Sequence, residues 1–455
     1  MAGHKVTLTQ SALIGIAGNA PSYSIAVSTG ALLGAALGLA PALIFYCGFV
    51  VLGILLAYRK LNQEQTSGGA AYTWVSQIIN PTLGFFAGWC LMMASILFIV
   101  SASLPAGKAV VMVVDPAYGE NKMLVTVVAM SLLALVSFVV VRGMQVVGHL
   151  QSILTALEII LIIVIAVALM WNFGTSILTE RTLDGFLLRT LDLETFANGI
   201  VIAIFFYWGW DVIFNISEET TDGHRTSGNA GLIVLLALIA IFTFYATAAA
   251  ALISEEDIKN SADNAIFAIA AKVFPHPFDY IAVFTFFLST IGAMEASLLQ
   301  FSRTVLAKAR DGRVGKSLAN LHREWETPVL AIVLDFVIVC VLLLGSLFVT
   351  GIEEAILAGI TATGILVAYY YGFAGIACAV YFIRKPSLTP GQRILYIVWP
   401  LLSVAVLIVA AVLSTLQFSK LAAGTVIFSL LLGVLVYLIY RPAANRQRAR
   451  STAQR

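Results

Sequence analysis

Apolar stretches of about 20 residues, the length that carries an α-helix across a bilayer, recur from one end of this chain to the other. The pattern predicts spans at Ser11 to Leu37, Ala40 to Tyr58, Leu83 to Met112, Met123 to Val141, Val146 to Met170, Phe196 to Ile216 and Gly231 to Ile253. It continues with Phe278 to Leu306, Val329 to Phe348, Ala355 to Phe382, Ile394 to Thr415 and Leu421 to Tyr440, which makes twelve. No polar block of soluble-domain size separates them, so residues 1–455 read as one membrane domain. A short polar start with no small-residue cleavage site precedes the first span, which is therefore read as retained rather than as a signal peptide.

Two of the predicted spans are irregular. The first contains Gly15, Gly18, Pro21, Gly30 and Gly34, with Asn19, Ser22, Ser24, Ser28 and Thr29 crowded at mid-depth. Pro21 removes a backbone donor and disfavours helix at Ala20, while neighbouring hydroxyls stand ready to satisfy the freed backbone groups. The sixth runs Phe205, Phe206, Tyr207, Trp208, Gly209, Trp210, Asp211, setting a glycine and a carboxylate among aromatics. Interrupted segments at corresponding positions of two halves point to a transporter's binding site, because half-helix ends aim their dipoles at a midplane ligand. The plainer reading is that Gly and Pro are common in membrane helices.

Composition agrees with a lipid environment: 60% of the 455 residues are hydrophobic and 11% charged, where a soluble protein carries roughly a quarter charged. The net charge of +2 decides nothing, but its distribution does. An inside amino terminus places nineteen of the 26 basic residues in the cytoplasm, among them Arg59, Lys60, Arg142, Arg225, Arg384, Lys385, Arg393 and the tail from Arg441 to Arg455. The loop between the eighth and ninth spans is assigned Arg303, Lys308, Arg310, Arg313, Lys316 and Arg323. Seven remain outside: Lys108, Lys122, Arg181, Arg189, Lys259, Lys272 and Lys420. This bias sets both termini in the cytoplasm of a cell (inner or plasma) membrane protein, and it accounts for the basic tail without any nucleic acid. Cys47, Cys90, Cys340 and Cys378 stand singly within apolar spans, and the five histidines share no helical face, so neither a metal site nor another cofactor is expected.

Between the second and third spans, Ser67-Gly68-Gly69-Ala70-Ala71-Tyr72-Thr73-Trp74 suits a short interfacial helix. This run, with Asn80-Pro81 and Gly84-Phe85-Phe86-Ala87-Gly88-Trp89, resembles the loop and third span of the amino acid-polyamine-organocation permeases. Arg142-Gly143, Gly209-Trp210-Asp211 with Ser217-Glu218-Glu219-Thr220, Ser302-Arg303 through Arg310-Asp311-Gly312, and Thr327-Pro328 are similar to that family too, in its order and spacing. The resemblance implies an all-α membrane protein of twelve transmembrane helices. Ten form a five-plus-five inverted repeat, approximately 11–171 and 196–382, with helices one and six broken. Two appended helices, 394–440, and a basic cytoplasmic tail, 441–455, follow. It also implies alternating access around a substrate held at Asn19, Ala20, Ser22, Tyr23, Ser24, Phe205, Trp208, Gly209, Asp211 and Ser297. Three departures stand out. Ser22-Tyr23-Ser24 replaces the Gly-Ser-Gly run whose amides meet a substrate carboxylate. Glu158 lies near where sodium-independent relatives carry a lysine. Thr220-Thr221-Asp222-Gly223-His224 replaces a proline-rich signature.

The ionisable groups at membrane depth are acidic: Glu158, Asp211, Glu295 and Asp335. A buried carboxylate without a fixed cation is neutralised by a proton or by a cationic substrate, which makes Asp211, Glu158 and Glu295 the proton-coupling candidates. Trp208 and Trp210 beside Asp211 offer ring faces to an ammonium; a helix-capping acid is the alternative. Glu158 either faces the same cavity or bonds neighbouring helices, and Asp335 reads as structural. Tyr369, Tyr370 and Tyr371 either close the outer pathway or pack as core.

The expected function is a permease for an amino acid or small amine, proton-coupled or exchanging, and not an enzyme. A polyamine, another organic cation or potassium on the same fold is the alternative. A membrane enzyme would need a clustered nucleophile or acid-base pair, and a channel does not call for paired broken helices. Oligomeric state is left open. Single cysteines introduced before Lys5 and after Arg441 are both expected to react only with reagents that reach the cytoplasm; opposite accessibility of the two ends would remove the even span count.

Overall fold

The computed structural model describes residues 5–189, 191–254, 265–348, 352–385, 388–415 and 419–453. Lys259 and Arg455, assigned above to opposite faces, lie outside these residues. The described chain is helical, and its one β-bridge joins Val6 to Thr220. In order, the helices are α1 (Leu8–Asn19), α2 (Thr29–Ala36), α3 (Ala40–Glu64), α4 (Ala71–Ile78), α5 (Pro81–Val114), α6 (Lys122–Val141) and α7 (Met144–Phe173). They continue with α8 (Leu193–Phe206), α9 (Val212–Asn215), α10 (Gly223–Leu252), α11 (Tyr280–Arg310), α12 (Val329–Ser346), α13 (Ile352–Ile383), α14 (Trp399–Thr415) and α15 (Lys420–Ala453). Two short helices, Glu180–Phe186 and Ala265–Ala271, flank the bundle.

Among the described residues, 10 helices are long and apolar enough to cross a membrane. The two expected spans missing from that set are the irregular ones. The first is divided at Ala20, and of the sixth only the 14 residues of α8 form a continuous apolar helix. The boundaries of the others shift in both directions: α10 starts at Gly223, ahead of Gly231, while α12 ends at Ser346, short of Phe348, and the helix of α15 runs on through Pro442 into the basic tail. α11 extends to Arg310, so Arg303 and Lys308, read above as loop residues, are buried helix residues instead. The reason is local: each basic head finds a partner inside the protein, as described below, so the helix has no need to stop where the apolar run does.

α5 packs along α13 and α11, and α3 along α10. These helices form the centre: 83% of the apolar window of α5 is buried, against 17% for α15, whose outer face keeps large apolar side chains such as Phe428, Leu431 and Leu435 exposed. Apolar exposure on this scale is what contact with lipid tails requires. The predicted interfacial helix is α4. It docks on the start of α5 through Gly84 and Gly88, and both Tyr72 and Trp74 are buried. Trp74 Nε1 donates to the Gln65 carbonyl over 2.8 Å, tying the helix to the end of α3.

A side chain at Gly84 would run into Ser76, whose Cα lies 2.6 Å from the position of an added Cβ. Gly84→Ala is therefore expected to lower stability by about 1–3 kcal/mol, the usual cost of overpacking. Gly345→Ala, where nothing lies within 4 Å of the added carbon, is expected to leave it unchanged. Thermal unfolding of the two purified variants in one detergent checks the contrast.

Candidate functional site at the crossing of two interrupted helices

The site begins with two helix breaks. α1 opens on a capping box between Thr7 and Gln10 and ends at Asn19, where Ala20 turns to φ 48°, ψ 65°. That left-handed conformation is unfavourable for alanine by roughly 1–2 kcal/mol. It is imposed because Pro21 has no N–H to continue the ladder and disfavours an α conformation in the residue before it. The chain restarts as the single turn Pro21–Tyr23, passes through a π-helical turn at Ser24–Ser28 and becomes α2. One freed carbonyl, that of Asn19, is met by the Ser24 hydroxyl over 3.1 Å. The second break follows α8: Tyr207 and Trp208 leave the helix, Gly209 takes φ 106°, and Asp211 precedes α9.

The two breaks touch. A Cβ at Gly18 would stand 2.5 Å from the Gly209 carbonyl oxygen, and a Cβ at Gly209 would overlap the Gly18 carbonyl. The Asn19 amide donates to the Trp208 carbonyl over 2.7 Å. The first break thus satisfies a carbonyl freed at the second, and at this level the two meet in direct backbone contact.

Asp211 is fully buried and bound by three neutral donors. Gln300 Nε2 donates to its Oδ2 over 2.7 Å, Tyr370 Oη to the same oxygen over 3.0 Å, and Tyr371 Oη to Oδ1 over 3.0 Å. Trp208 Nε1 donates in turn to Tyr370 Oη over 2.7 Å, which sets the tyrosine's orientation. Tyr370 and Tyr371 are therefore ligands of the carboxylate. Trp208 acts through its N–H as well as its ring. No lysine or arginine among the described residues bonds to Asp211.

On the other side of the crossing, Glu158 of α7 accepts a hydrogen bond from the Ser22 N–H over 3.1 Å, and the Tyr23 N–H donates to Ser289 Oγ of α11 over 3.2 Å. The first amides after the α1 break are thus covered by side chains. Phe98 of α5 joins the halves, with ring centroids 5.5 Å from Tyr23, 6.2 Å from Phe205 and 5.0 Å from Trp208. The structure brings Asn19, Ala20, Ser22, Tyr23, Ser24, Phe205, Trp208, Gly209, Asp211 and Glu158 to one place. Ser297 is buried on α11, with no contact to these residues described. Glu295 makes no hydrogen bond to them: both its carboxylate oxygens are buried without a donor among the described residues. Asp335 of α12 is buried in the same way.

Phe98, Ser289 and Gln300 were not predicted. One signal was available: Ser289, Gly292, Ala296, Gln300 and Arg303 recur every three or four residues, a stripe of small and polar side chains on an otherwise apolar helix. Its last member reaches the segment that follows the second break. Arg303 forms a two-pronged pair with Glu219, at 2.9 and 3.1 Å. Glu218 accepts from the Gly68 N–H over 2.8 Å, and the Asn215 amide donates to the Gly68 carbonyl over 2.9 Å. Tyr72 donates to Asp311 over 2.7 Å; burial, with that carboxylate beside it, pushes the tyrosine's pKa up and keeps it a donor. Lys308, which the acidic reading of the interior left out, is buried beside this network. Its ammonium donates to the Phe85 carbonyl over 3.0 Å and lies 4.0 Å from the Phe85 ring centroid, where the ring quadrupole attracts a cation.

With that geometry in place, comparison with known proteins assigns the family. The amino acid permease family matches residues 8–439. This chain belongs to it. The permease is 26% identical over 304 residues to a low-affinity putrescine importer of Escherichia coli (strain K12), a match covering 63% of each chain and so less than two thirds of the importer's length. It is 24% identical over 352 residues to a branched-chain amino acid permease of Lactococcus lactis subsp. cremoris, covering 71% of this chain and 70% of that one. It is 21% identical over 302 residues to a serine/threonine exchanger of Bacillus subtilis, covering 66% and 67%. These relatives are transporters, not enzymes. The ten long apolar helices make the permease a multi-pass membrane protein.

Gly209→Ala is expected to abolish most folded protein, because the new methyl meets the Gly18 backbone and φ 106° is closed to alanine. Size-exclusion chromatography after expression reads this as loss of the monodisperse peak. A normal peak would mean that the crossing is dispensable.

Proposed function

We propose that the permease is a secondary active transporter that moves an amino acid or a related small amine across the cell membrane by alternating access. The observation that carries this reading is the contact of two interrupted helices with a buried carboxylate at each, Asp211 at one and Glu158 at the other. Family membership and the transporter relatives support it. Ten long apolar helices support this reading; if the two divided segments also cross, the count is twelve, arranged as an inverted repeat over approximately 11–171 and 196–382 with two appended helices. Both termini then face the cytoplasm. The substrate displaces contacts at the crossing, and Asp211 exchanges a proton or a substrate ammonium against the hydroxyls of Tyr370 and Tyr371. The Arg303–Glu219 pair closes the cytoplasmic end.

A second reading has a specific observation behind it. Glu158 already holds the Ser22 N–H, so an anionic substrate group at that amide meets a carboxylate in its place. That favours an amine without a carboxylate, in line with the putrescine importer among the relatives, over an α-amino acid. Uptake of labelled amino acids and diamines into proteoliposomes separates the two. With a zwitterion, Asp211→Asn is expected to retain binding and lose most of the pH dependence of transport. With a diamine, Asp211→Asn and Glu158→Gln are each expected to weaken apparent affinity by roughly tenfold or more, the loss of one charged hydrogen bond. Wild-type uptake and pH profile in folded Asp211→Asn protein would reduce Asp211 to a structural cap.

A further inference from the structure

The loop that leads from α11 into α12 is seated on the turn between α6 and α7, and it brings Thr327-Pro328 against Arg142-Gly143. The Thr327 hydroxyl donates to the Val141 carbonyl over 2.9 Å. The Arg142 guanidinium lies 5.2 Å from the Trp325 ring centroid and 4.8 Å from that of Phe138. Gly143 takes φ 98°, and a Cβ there would stand 2.8 Å from the Trp325 carbonyl oxygen. α7 carries Glu158, and α11 carries Ser289 and Gln300, so this contact joins at one end the two helices that serve both breaks.

One side chain shapes the loop. The His322 N–H donates to the Thr327 carbonyl over 2.8 Å, and the His322 carbonyl accepts from the Glu326 N–H over 3.0 Å. Its ring stacks on Trp325, with centroids 4.1 Å apart and planes 15° apart. Its Nδ1 accepts from the N–H groups of Glu324 and Trp325, both over 3.3 Å. An imidazole nitrogen accepts only while it carries no proton, so both bonds require neutral His322 with its proton on Nε2. Protonation turns Nδ1 into a donor that faces two donors.

The surroundings do not compensate an imidazolium. The histidine–carboxylate pairs among the described residues are His224–Asp222 and His276–Asp279; Glu324 and Glu326, both exposed, form none with His322. Arg323 beside it is exposed, and the charge that faces it from α6 is the Arg142 cation on the same Trp325 ring. On α7 the first titratable side chain, His149, bonds the Gln145 carbonyl of its own helix, and on α12 the first, Asp335, is buried within the bundle. At the end of α11, Arg310 bonds Glu218, and Asp311 accepts from Tyr72.

We propose that His322 is a pH-sensitive clasp that, when neutral, holds the loop between α11 and α12 on the turn between α6 and α7, and releases it when protonated. The clasped form binds fewer protons than the released one, so it is favoured as pH rises and lost as pH falls. Hydrogen exchange of the full-length protein in detergent, read by mass spectrometry at about pH 8 and about pH 5, spans the range in which histidines change charge. With exposure times scaled to the chemical exchange rate, it follows the Glu324 and Trp325 amides directly. Wild-type protein is expected to exchange roughly tenfold faster at the lower pH in the peptide covering 320–328, from the loss of two hydrogen bonds, while peptides of α5 stay unchanged. His322→Asn keeps an acceptor oxygen at the position of Nδ1 and does not titrate, so it is expected to stay protected at both pH values. His322→Phe keeps a stacking ring without the acceptor, and is expected to exchange fast at both. Wild-type exchange that ignores pH overturns the proposal, as does protection of the two amides in His322→Phe. An equal acid response in folded His322→Asn would also overturn it, assigning the titration to Glu324 or Glu326.

Discussion

In lipid, an interrupted helix cannot leave its freed backbone groups to water, so every break needs an internal partner. In this permease the first break serves the second, and side chains of α7, α11 and its own segment serve the first. Gly18 and Gly209 approach so closely that neither tolerates a side chain, and Asn19 reaches the carbonyl that Trp208 releases. That approach fixes the position of α1 relative to α8 and α9, and the remaining features of the site follow from it.

The acids take their places from the crossing. Asp211 enters the interior because Gly209 turns the chain just ahead of it, and α11 and α13 then supply the three donors that hold it. Glu158 comes from α7, far away in sequence, and meets the first amide beyond the α1 break. Among the described residues both carboxylates are bound by neutral groups alone, with no guanidinium or ammonium bonded to either. The fixed pair, Arg303 with Glu219, is set one step away at the end of the same α11 stripe, where it ties the segment after the second break to the bundle.

Around this centre the bundle is graded. α5 is almost wholly enclosed and α15 scarcely so. The outer helices can therefore be apolar on all sides without specifying tight packing. The inner helices carry the glycines and small residues that let backbones meet, as at Gly84 and Gly88 beneath α4.

The sequence by itself determined the membrane setting, the order of the long apolar segments, the two positions where helix could not continue and the presence of carboxylates in the interior. These are local properties: twenty apolar residues, a proline after alanine or a glycine before a carboxylate carry their meaning wherever the chain goes. Only the tertiary structure decided which of the buried acids share a site. Glu158 and Glu295 look alike in sequence, yet one caps the break and the other has no donor among the described residues, because which side chains meet is set by how the helices pack. The same holds for Tyr370 and Tyr371, which could equally have been core aromatics until α13 laid them against Asp211. It holds for Arg303 and Lys308 as well, basic residues at the end of an apolar run that belong to the interior because Glu219 and Phe85 happen to be there to receive them.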